Sequence, residues 1–165
     1  MINIKYLVNT PILIAVGIYF FLTPKSYHFI DFINLLIHEG GHGVFAIFGE
    51  FIHAAGGTIM QLLIPLLFVV VNVRTRYFIL AQWSAVWFMQ NMINVSVYMG
   101  DARARVLPLL GGNKVRHDWT YLFHQMGVLD KDVFISQMVY WSSLGVLLVA
   151  LFLPILFQPA KNAQE

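Results

Sequence analysis

The sequence predicts an all-α protein, a polytopic membrane helical bundle of about five transmembrane helices plus a short interfacial helix. Three features of its 165 residues support this fold class: a charged fraction of 11%, a hydrophobic fraction of 59%, and long apolar runs separated by short polar segments. Soluble domains carry roughly 25% charged residues. A chain with less than half of that value cannot cover a water-facing surface, so we expect it to lie in a lipid bilayer.

Composition also excludes several classes of protein. The length fits a single integral membrane domain over residues 1–165. The formal net charge of +2, without basic runs, gives no reason to expect a nucleic-acid partner. Cysteine is absent, which excludes disulfide bonds and thiolate metal sites. We expect a multi-pass protein of a prokaryotic cell membrane, and the sequence does not indicate an oligomeric state.

Apolar segments mark the predicted spans. The five segments are residues 6–22, 27–48, 59–73, 77–99 and 133–157. The first could be a signal peptide, but no small-residue cleavage site follows it, so we interpret it as a retained span. The glycine-rich segment 50–58 is predicted to be a connecting turn or a re-entrant loop. A small excess of Lys and Arg on one side favours a cytoplasmic N-terminus.

A short amphipathic helix is predicted between the last two spans. Asp118 is a good N-cap, and Gly127 is a natural stop. Between them, apolar residues recur at the spacing i, i+3, i+4 and i+7: Trp119, Leu122, Phe123 and Met126. This pattern is typical of a helix lying at the membrane interface. The polar tail, residues 158–165, is expected to be disordered.

The second apolar segment contains the sequence His38-Glu39-Gly40-Gly41-His42, which is an H-E-x-x-H motif. Residues four apart lie on one face of an α-helix, so both imidazoles can bind one metal ion. The adjacent Glu39 can reach a water on that metal and serve as a general base. Ionisable residues within an apolar segment are costly, so a functional role is the expected reason for their presence.

A catalytic zinc ion takes three protein ligands and keeps one open position. The candidates for the third ligand are Asp101, His117, Asp118 and His53. Asp101 is the first choice because it ends a polar stripe on the fourth segment, and polar stripes on membrane helices face the bundle interior. The stripe consists of Asn91, Asn94, Tyr98 and Asp101. His117 is the second choice because imidazole is a good zinc ligand.

In these residues the chain resembles the site-2 protease family of intramembrane zinc metalloproteases. That family has H-E-x-x-H on one transmembrane helix and an aspartate ligand two helices later, which correspond here to the motif 38–42 and to Asp101. The pair Gly56-Gly57 is similar to a glycine-containing segment of the family. The family usually has Leu-Asp-Gly around its aspartate, whereas this chain has Gly-Asp-Ala at 100–102. A PDZ-like insertion is absent, so the resemblance is to a minimal member.

The resemblance implies a zinc metallopeptidase that cleaves a transmembrane segment of another membrane protein. It implies zinc ligation by His38, His42 and Asp101, with Glu39 as the general base. Asn94 would hold the substrate backbone or donate to the developing oxyanion. Two other functions stay open: a membrane-embedded zinc hydrolase of a lipid or another small molecule, and a catalytically silent scaffold with a vestigial site.

Overall fold

The computed structural model describes residues 4–108, 110, 112 and 116–157, without the side chains of residues 4–7. In this part of the chain all regular structure is helical, as predicted. The α-helices are α1 Ile4–Leu22, α2 Phe29–Phe45, α3 Glu50–Arg74, α4 Phe78–Gly100, α5 Asp118–Gln125 and α6 Asp132–Leu156. Short 3-10 turns, Ala46–Phe48 and Leu129–Lys131, precede α3 and α6. The tail 158–165 lies outside the described residues.

Helix α4 is the centre of the bundle, and α1, α3 and α6 pack around it. Its small residues Ala81 and Ala85 are buried, and this allows α1 and α6 to approach its backbone closely. The larger core side chains fill the space between these helices: Leu13, Val86, Met89, Ile93, Leu147 and Leu153. Because α4 is buried around most of its circumference, the fourth segment is apolar on most sides and does not show one distinct apolar face.

Large apolar side chains cover the outer surfaces of the bundle. Trp141, Phe152 and Ile155 on α6 and Phe68 on α3 are all more than half exposed. Two helical segments, Glu50–Arg74 and Leu129–Leu156, are long and apolar enough to cross a membrane. Their outward-facing apolar residues are what lipid contact requires. Membrane crossing by the other three predicted segments stays a prediction.

Helices α2 and α3 form an antiparallel hairpin, and this corrects the prediction of a loop at residues 50–58. Helix α3 begins at Glu50 and runs without interruption to Arg74. The glycines serve close packing, since a Cβ atom on Gly41 would overlap the Gly56 backbone, and one on Gly56 would overlap Phe45. The turn is made at Gly49, whose φ of +90° suits glycine. The small residues that suggested a loop therefore allow two helix backbones to touch.

The described residues on both sides of the polar connection after α4 are bonded to one another at one end of the bundle. The buried Asp132 at the start of α6 accepts hydrogen bonds from the backbone and the guanidinium of Arg103. The Thr120 hydroxyl donates to the carbonyl of Ala102. Helix α5 then lies across this end with Phe123 buried. The connection is therefore held at several points, so that the first residue of α5 is brought to α2.

Helix α5 occupies the predicted amphipathic segment, but its N-cap is His117 and not Asp118. The His117 imidazole accepts a hydrogen bond from the Thr120 backbone. At the other end Gly127 has φ of +69°, which fits its predicted role as the stop. Because capping is done by His117, the side chain of Asp118 is free for another contact.

Candidate metal centre

The two motif histidines lie near the C-terminal end of α2, with their rings at 4.8 Å between centroids. Each Nδ1 atom contacts an oxygen of α3. His38 Nδ1 lies 3.1 Å from Oε1 of Gln61, and His42 Nδ1 lies 2.8 Å from the backbone carbonyl oxygen of His53. Such contacts fix the orientation of a metal-binding imidazole through the ring nitrogen that does not bind the metal.

Both Nε2 atoms converge on one carboxylate oxygen. Oδ2 of Asp118 lies 3.2 Å from Nε2 of His38 and 3.3 Å from Nε2 of His42. Tetrahedral ligands with zinc bonds of about 2.0 to 2.1 Å lie about 3.3 to 3.4 Å apart. The two spacings to Asp118 are close to the edge of a zinc tetrahedron, and the ligand atoms of all three residues lie within 4.8 Å of one another. His38, His42 and Asp118 form the one group of three potential ligand side chains found among the described residues.

The positions of the protons also favour a cation. A backbone carbonyl oxygen can only accept, so Nδ1 of His42 carries a proton, and Nδ1 of His38 carries one with Oε1 of Gln61 facing it. In a neutral imidazole the lone pair is then on Nε2. Two lone pairs and a carboxylate oxygen facing one another are stable only with a positive charge between them or with extra protons on the rings. A divalent ion supplies that charge, and two histidines with a carboxylate are a zinc-binding set.

Asp118 is held as an anion. Burial would raise the pKa of its carboxyl group, but in the metal-free protein the hydrogen bonds that His38 and His42 donate with protonated Nε2 atoms outweigh burial and hold the pKa well below its ordinary value. The hydroxyl of Tyr98 donates to Oδ2 of Asp118 and accepts from its backbone N–H, both at 3.2 Å. Tyr98 therefore holds Asp118, the third residue of the group, through both its carboxylate and its backbone N–H.

Gly57 makes room for the ring of His38. A Cβ atom at this position would lie 2.5 Å from Nε2 and 2.6 Å from Cε1 of that ring. Both distances are far below van der Waals contact, so a side chain on Gly57 would displace the imidazole. The glycine pair after the motif therefore has two functions: Gly56 allows the helices to pack, and Gly57 accommodates a ligand.

Glu39 lies on the outer side of the group. It is exposed on α2, within electrostatic range of His42 and Tyr98. In the part of the chain that is described, its carboxylate takes part in no ion pair. Glu39 is thus an exposed carboxylate adjacent in sequence to His38, and a carboxylate can accept a proton.

The structure brings Asp118 to the histidines in place of Asp101, the first choice for the third ligand. The carboxylate of Asp101 accepts hydrogen bonds from the backbone N–H groups of Val106 and Leu107, both at 3.0 Å. Its Oδ2 also lies 3.5 Å from Nε2 of His117. Asp101 therefore organises the connection that carries Asp118. The second choice, His117, is engaged as the cap of α5, and its buried position lowers its pKa.

Asn94 is also placed differently from its predicted role. Its amide nitrogen donates to Oδ1 of Asp31 at 2.6 Å. Asp31 lies seven residues before His38, about 10 Å away along a helix axis. The same carboxylate oxygen accepts from Gln90, which in turn accepts from Asn34. Asn94 thus belongs to a polar cluster that ties α4 to the start of α2, and the predicted oxyanion contact has no support in this geometry.

Gln61 and Tyr98 are the contributors that sequence reasoning did not assign to the site. Tyr98 was recognised as part of the polar stripe, but nothing in the stripe shows which of its members reaches the metal ligands. Gln61 is the polar residue in the middle of an otherwise apolar segment, which is a usable signal. His53, an alternative third ligand, contributes its backbone carbonyl instead of its ring.

Comparisons with family models, with curated proteins and with solved structures find no match for this chain. The functional argument therefore depends on the geometry of the site.

Proposed function

We propose that the chain is a membrane-embedded zinc metallopeptidase that hydrolyses peptide bonds in or near transmembrane segments of other proteins. The convergence of His38, His42 and Asp118, with Glu39 beside them, is the observation that carries this proposal. A single helical motif alone would not suffice. The carboxylate arrives from a segment 80 residues away in the sequence, and the outward-facing ring nitrogens of both histidines point to it.

The proposed roles follow from these positions. His38, His42 and Asp118 would hold the zinc ion, which would supply Lewis-acid chemistry to the scissile carbonyl and to water. Glu39 accepts the proton of the attacking water and passes it to the leaving amine. Tyr98 keeps the Asp118 carboxylate in the ligand position. Gln61 and the carbonyl of His53 keep both imidazoles in the tautomer that ligates through Nε2.

The open outer face of α2 favours a peptide over a small molecule as the substrate. Gly40 and Gly43 are exposed, and Cβ atoms built on them would meet nothing within 4 Å. Leu36 and Val44 on the same side are more than half exposed. A chain segment approaching from the membrane can therefore reach Glu39 laterally. An apolar cavity of about 220 Å³ does exist, but it lies between α1, α2 and α4 and includes Ile30 and Trp87.

Ile30 precedes His38 by eight residues, about 12 Å along the helix. The cavity is therefore not an entrance to the metal group. A hydrolase of a lipid or another small molecule would need a narrow tunnel ending at the metal, and this cavity does not provide it.

The proposal includes five membrane spans, formed by α1 to α4 and α6, and an interfacial α5. It also places the protein as a minimal member of the site-2 protease family. One difference from the family pattern is specific: the aspartate comes from the interfacial segment after α4. The zinc site would then combine two histidines of a membrane helix with a carboxylate outside the membrane spans.

The test compares the isosteric variants Glu39→Gln and Glu50→Gln. Glu50 is a second exposed glutamate, seven residues before Gly57 and outside the group of three. Membranes of cells that express each form are analysed for new protein N-termini, and zinc is measured in the purified protein. We expect bound zinc in all forms and loss of cleavage in Glu39→Gln alone. Cleavage that survives in Glu39→Gln contradicts the general-base role, and absence of zinc from the unmodified protein favours a silent scaffold.

A further inference from the structure

The depth of the metal group in the membrane follows from the register of α2 against α3. Helix α3 has 25 residues and is long and apolar enough to be a membrane span. Its length is about 37 Å, whereas the hydrocarbon core is about 30 Å thick. Each end of an upright α3 therefore extends about 3 to 4 Å beyond the hydrocarbon, and Glu50 marks one membrane face.

Two contacts with α3 give the distance of each histidine from Glu50 along the helix axis. His42 is bonded to the carbonyl of His53, which lies three residues after Glu50, about 5 Å along the axis. The His38 ring lies against Gly57, seven residues after Glu50, about 10 Å along the axis. The metal group lies between these levels, within about 7 Å of the hydrocarbon boundary.

Polar contacts at the same end mark where water begins. The exposed carboxylate of Glu50 lies 3.7 Å from the guanidinium of Arg116 and 3.4 Å from the hydroxyl of Tyr121. The Arg116 guanidinium stacks over the Tyr121 ring at 3.8 Å. Asp118 is the first residue of the same short helix, so one of the three ligands comes from a segment that contacts water.

We infer that the metal group acts at the surface of the bilayer, on a peptide bond that lies within about one helical turn of the membrane face marked by Glu50. This inference depends on the proposed peptidase function for its substrate class, but the depth of the site can be tested without a substrate. A bond at this level is reached by water directly from the aqueous phase. The substrate helix needs to unwind only at its end, where the last carbonyl groups already lack partners within the helix.

The absence of cysteine makes the depth measurable by single-cysteine labelling. Gly43 and Phe32 both lie exposed on α2, the first beside His42 and the second about 16 Å deeper along the axis. The variants Gly43→Cys and Phe32→Cys are reconstituted in lipid nanodiscs, which expose both faces, and treated with a membrane-impermeant maleimide. We expect at least a tenfold faster reaction for Gly43→Cys than for Phe32→Cys.

Slow labelling of both variants would show that the metal group is deep in the hydrocarbon, and equally fast labelling would show that α2 is not embedded. Either result overturns the inference. Denaturation in detergent should make both thiols react fully, which controls for the reagent.

Chelation of the unmodified, zinc-loaded protein in nanodiscs gives a second, independent reading. EDTA is charged and does not enter hydrocarbon, whereas 1,10-phenanthroline does. We expect EDTA to remove zinc from nanodiscs at a rate within tenfold of its rate in detergent. Zinc that only phenanthroline removes would contradict the shallow position. A protein that binds no zinc would instead contradict the proposed function, and the labelling pattern would still decide the depth.

Mapping of cleavage sites tests the substrate class. New N-termini that depend on Glu39 are located relative to the spans of the cleaved proteins. We expect them within about five residues of a span boundary, and sites near the middle of spans would refute a surface-acting enzyme.

Discussion

The substitution Gly57→Ala tests the site at its most restrictive contact. The new Cβ atom would lie 2.5 Å from Nε2 and 2.7 Å from Cδ2 of His38. An ordinary contact requires about 3.5 Å, so the ring has to move by about 1 Å, and metal–ligand distances tolerate only about 0.2 Å. The same movement breaks the contact of the ring with Gln61. Loss of an outer-shell contact alone lowers metal affinity about 10- to 100-fold.

We therefore expect Gly57→Ala to weaken zinc binding by at least about 100-fold. Fold stability should change much less. Alanine gains up to about 1 kcal/mol over glycine within a helix, and the crowding costs about 1 to 3 kcal/mol. The net destabilisation is then about 0 to 2 kcal/mol. Zinc affinity is measured by competition with a chromophoric chelator in detergent, and stability by thermal unfolding of the metal-free protein.

The matched control is Gly40→Ala, on the motif helix itself. A Cβ atom there would meet nothing within 4 Å, so zinc affinity should stay within threefold of the unmodified protein. Affinity of Gly57→Ala within the same threefold range would refute the position of the His38 ring. A comparable loss of zinc affinity in Gly40→Ala would show that any substitution near the motif weakens zinc binding. The contact between Gly57 and His38 would then not explain the effect of Gly57→Ala.

Four further substitutions separate the roles of the polar residues. Asp118→Ala should abolish tight zinc binding. Asp101→Ala should weaken zinc binding only indirectly and should cause the larger loss of thermal stability. An equal loss of zinc affinity in both variants, measured by competition with a chelator, would contradict this assignment. Tyr98→Phe removes the hydrogen bond to Asp118 and should reduce zinc affinity about 10- to 100-fold. It should also alter the visible spectrum of the cobalt-substituted protein. An unchanged affinity and an unchanged spectrum would exclude a positioning role for Tyr98. Asn94→Ala should destabilise the fold by about 0.6 to 2 kcal/mol, because the hydrogen bond to Asp31 is lost, and should leave the activity per folded molecule unchanged. An unchanged melting temperature together with a reduced cleavage rate would support the predicted catalytic role instead.

Much of the fold could be predicted because long apolar helices leave a simple signal in the sequence. Apolar run length located α1, α2, α4 and α6, and turn chemistry located the end of α5 at Gly127. The segment 50–58 was wrongly predicted because glycine has two opposite meanings. It breaks helices in water, yet in a bundle Gly56 and Gly57 allow a second helix and a ligand ring to approach. Only knowledge of the partner helix separates these meanings.

The part of the site that lies within one helix was predictable, and the part that depends on tertiary contacts was not. The spacing of His38 and His42 fixes their shared face without reference to the rest of the chain. The third ligand depends on how a polar connection of some fifteen residues folds, and its path is set by contacts such as those of Asp101 with backbone N–H groups. Both aspartates were candidates, and the sequence contains no periodicity across the connection that would rank them.

The polar stripe of α4 shows how one pattern can serve three purposes. All four residues face the bundle, as an intramembrane polar stripe should. Along the helix, however, they meet different partners: Asn94 meets Asp31 at the start of α2, Tyr98 meets Asp118 at the metal group, and Asp101 meets the connection beyond it. The direction of a stripe therefore identifies its face but not its function. The height of each residue along the helix therefore decides which partner it meets. Tyr98 lies at the height of the histidines, with its ring 5.9 Å from that of His38, and it is the stripe residue that contacts the group of His38, His42 and Asp118.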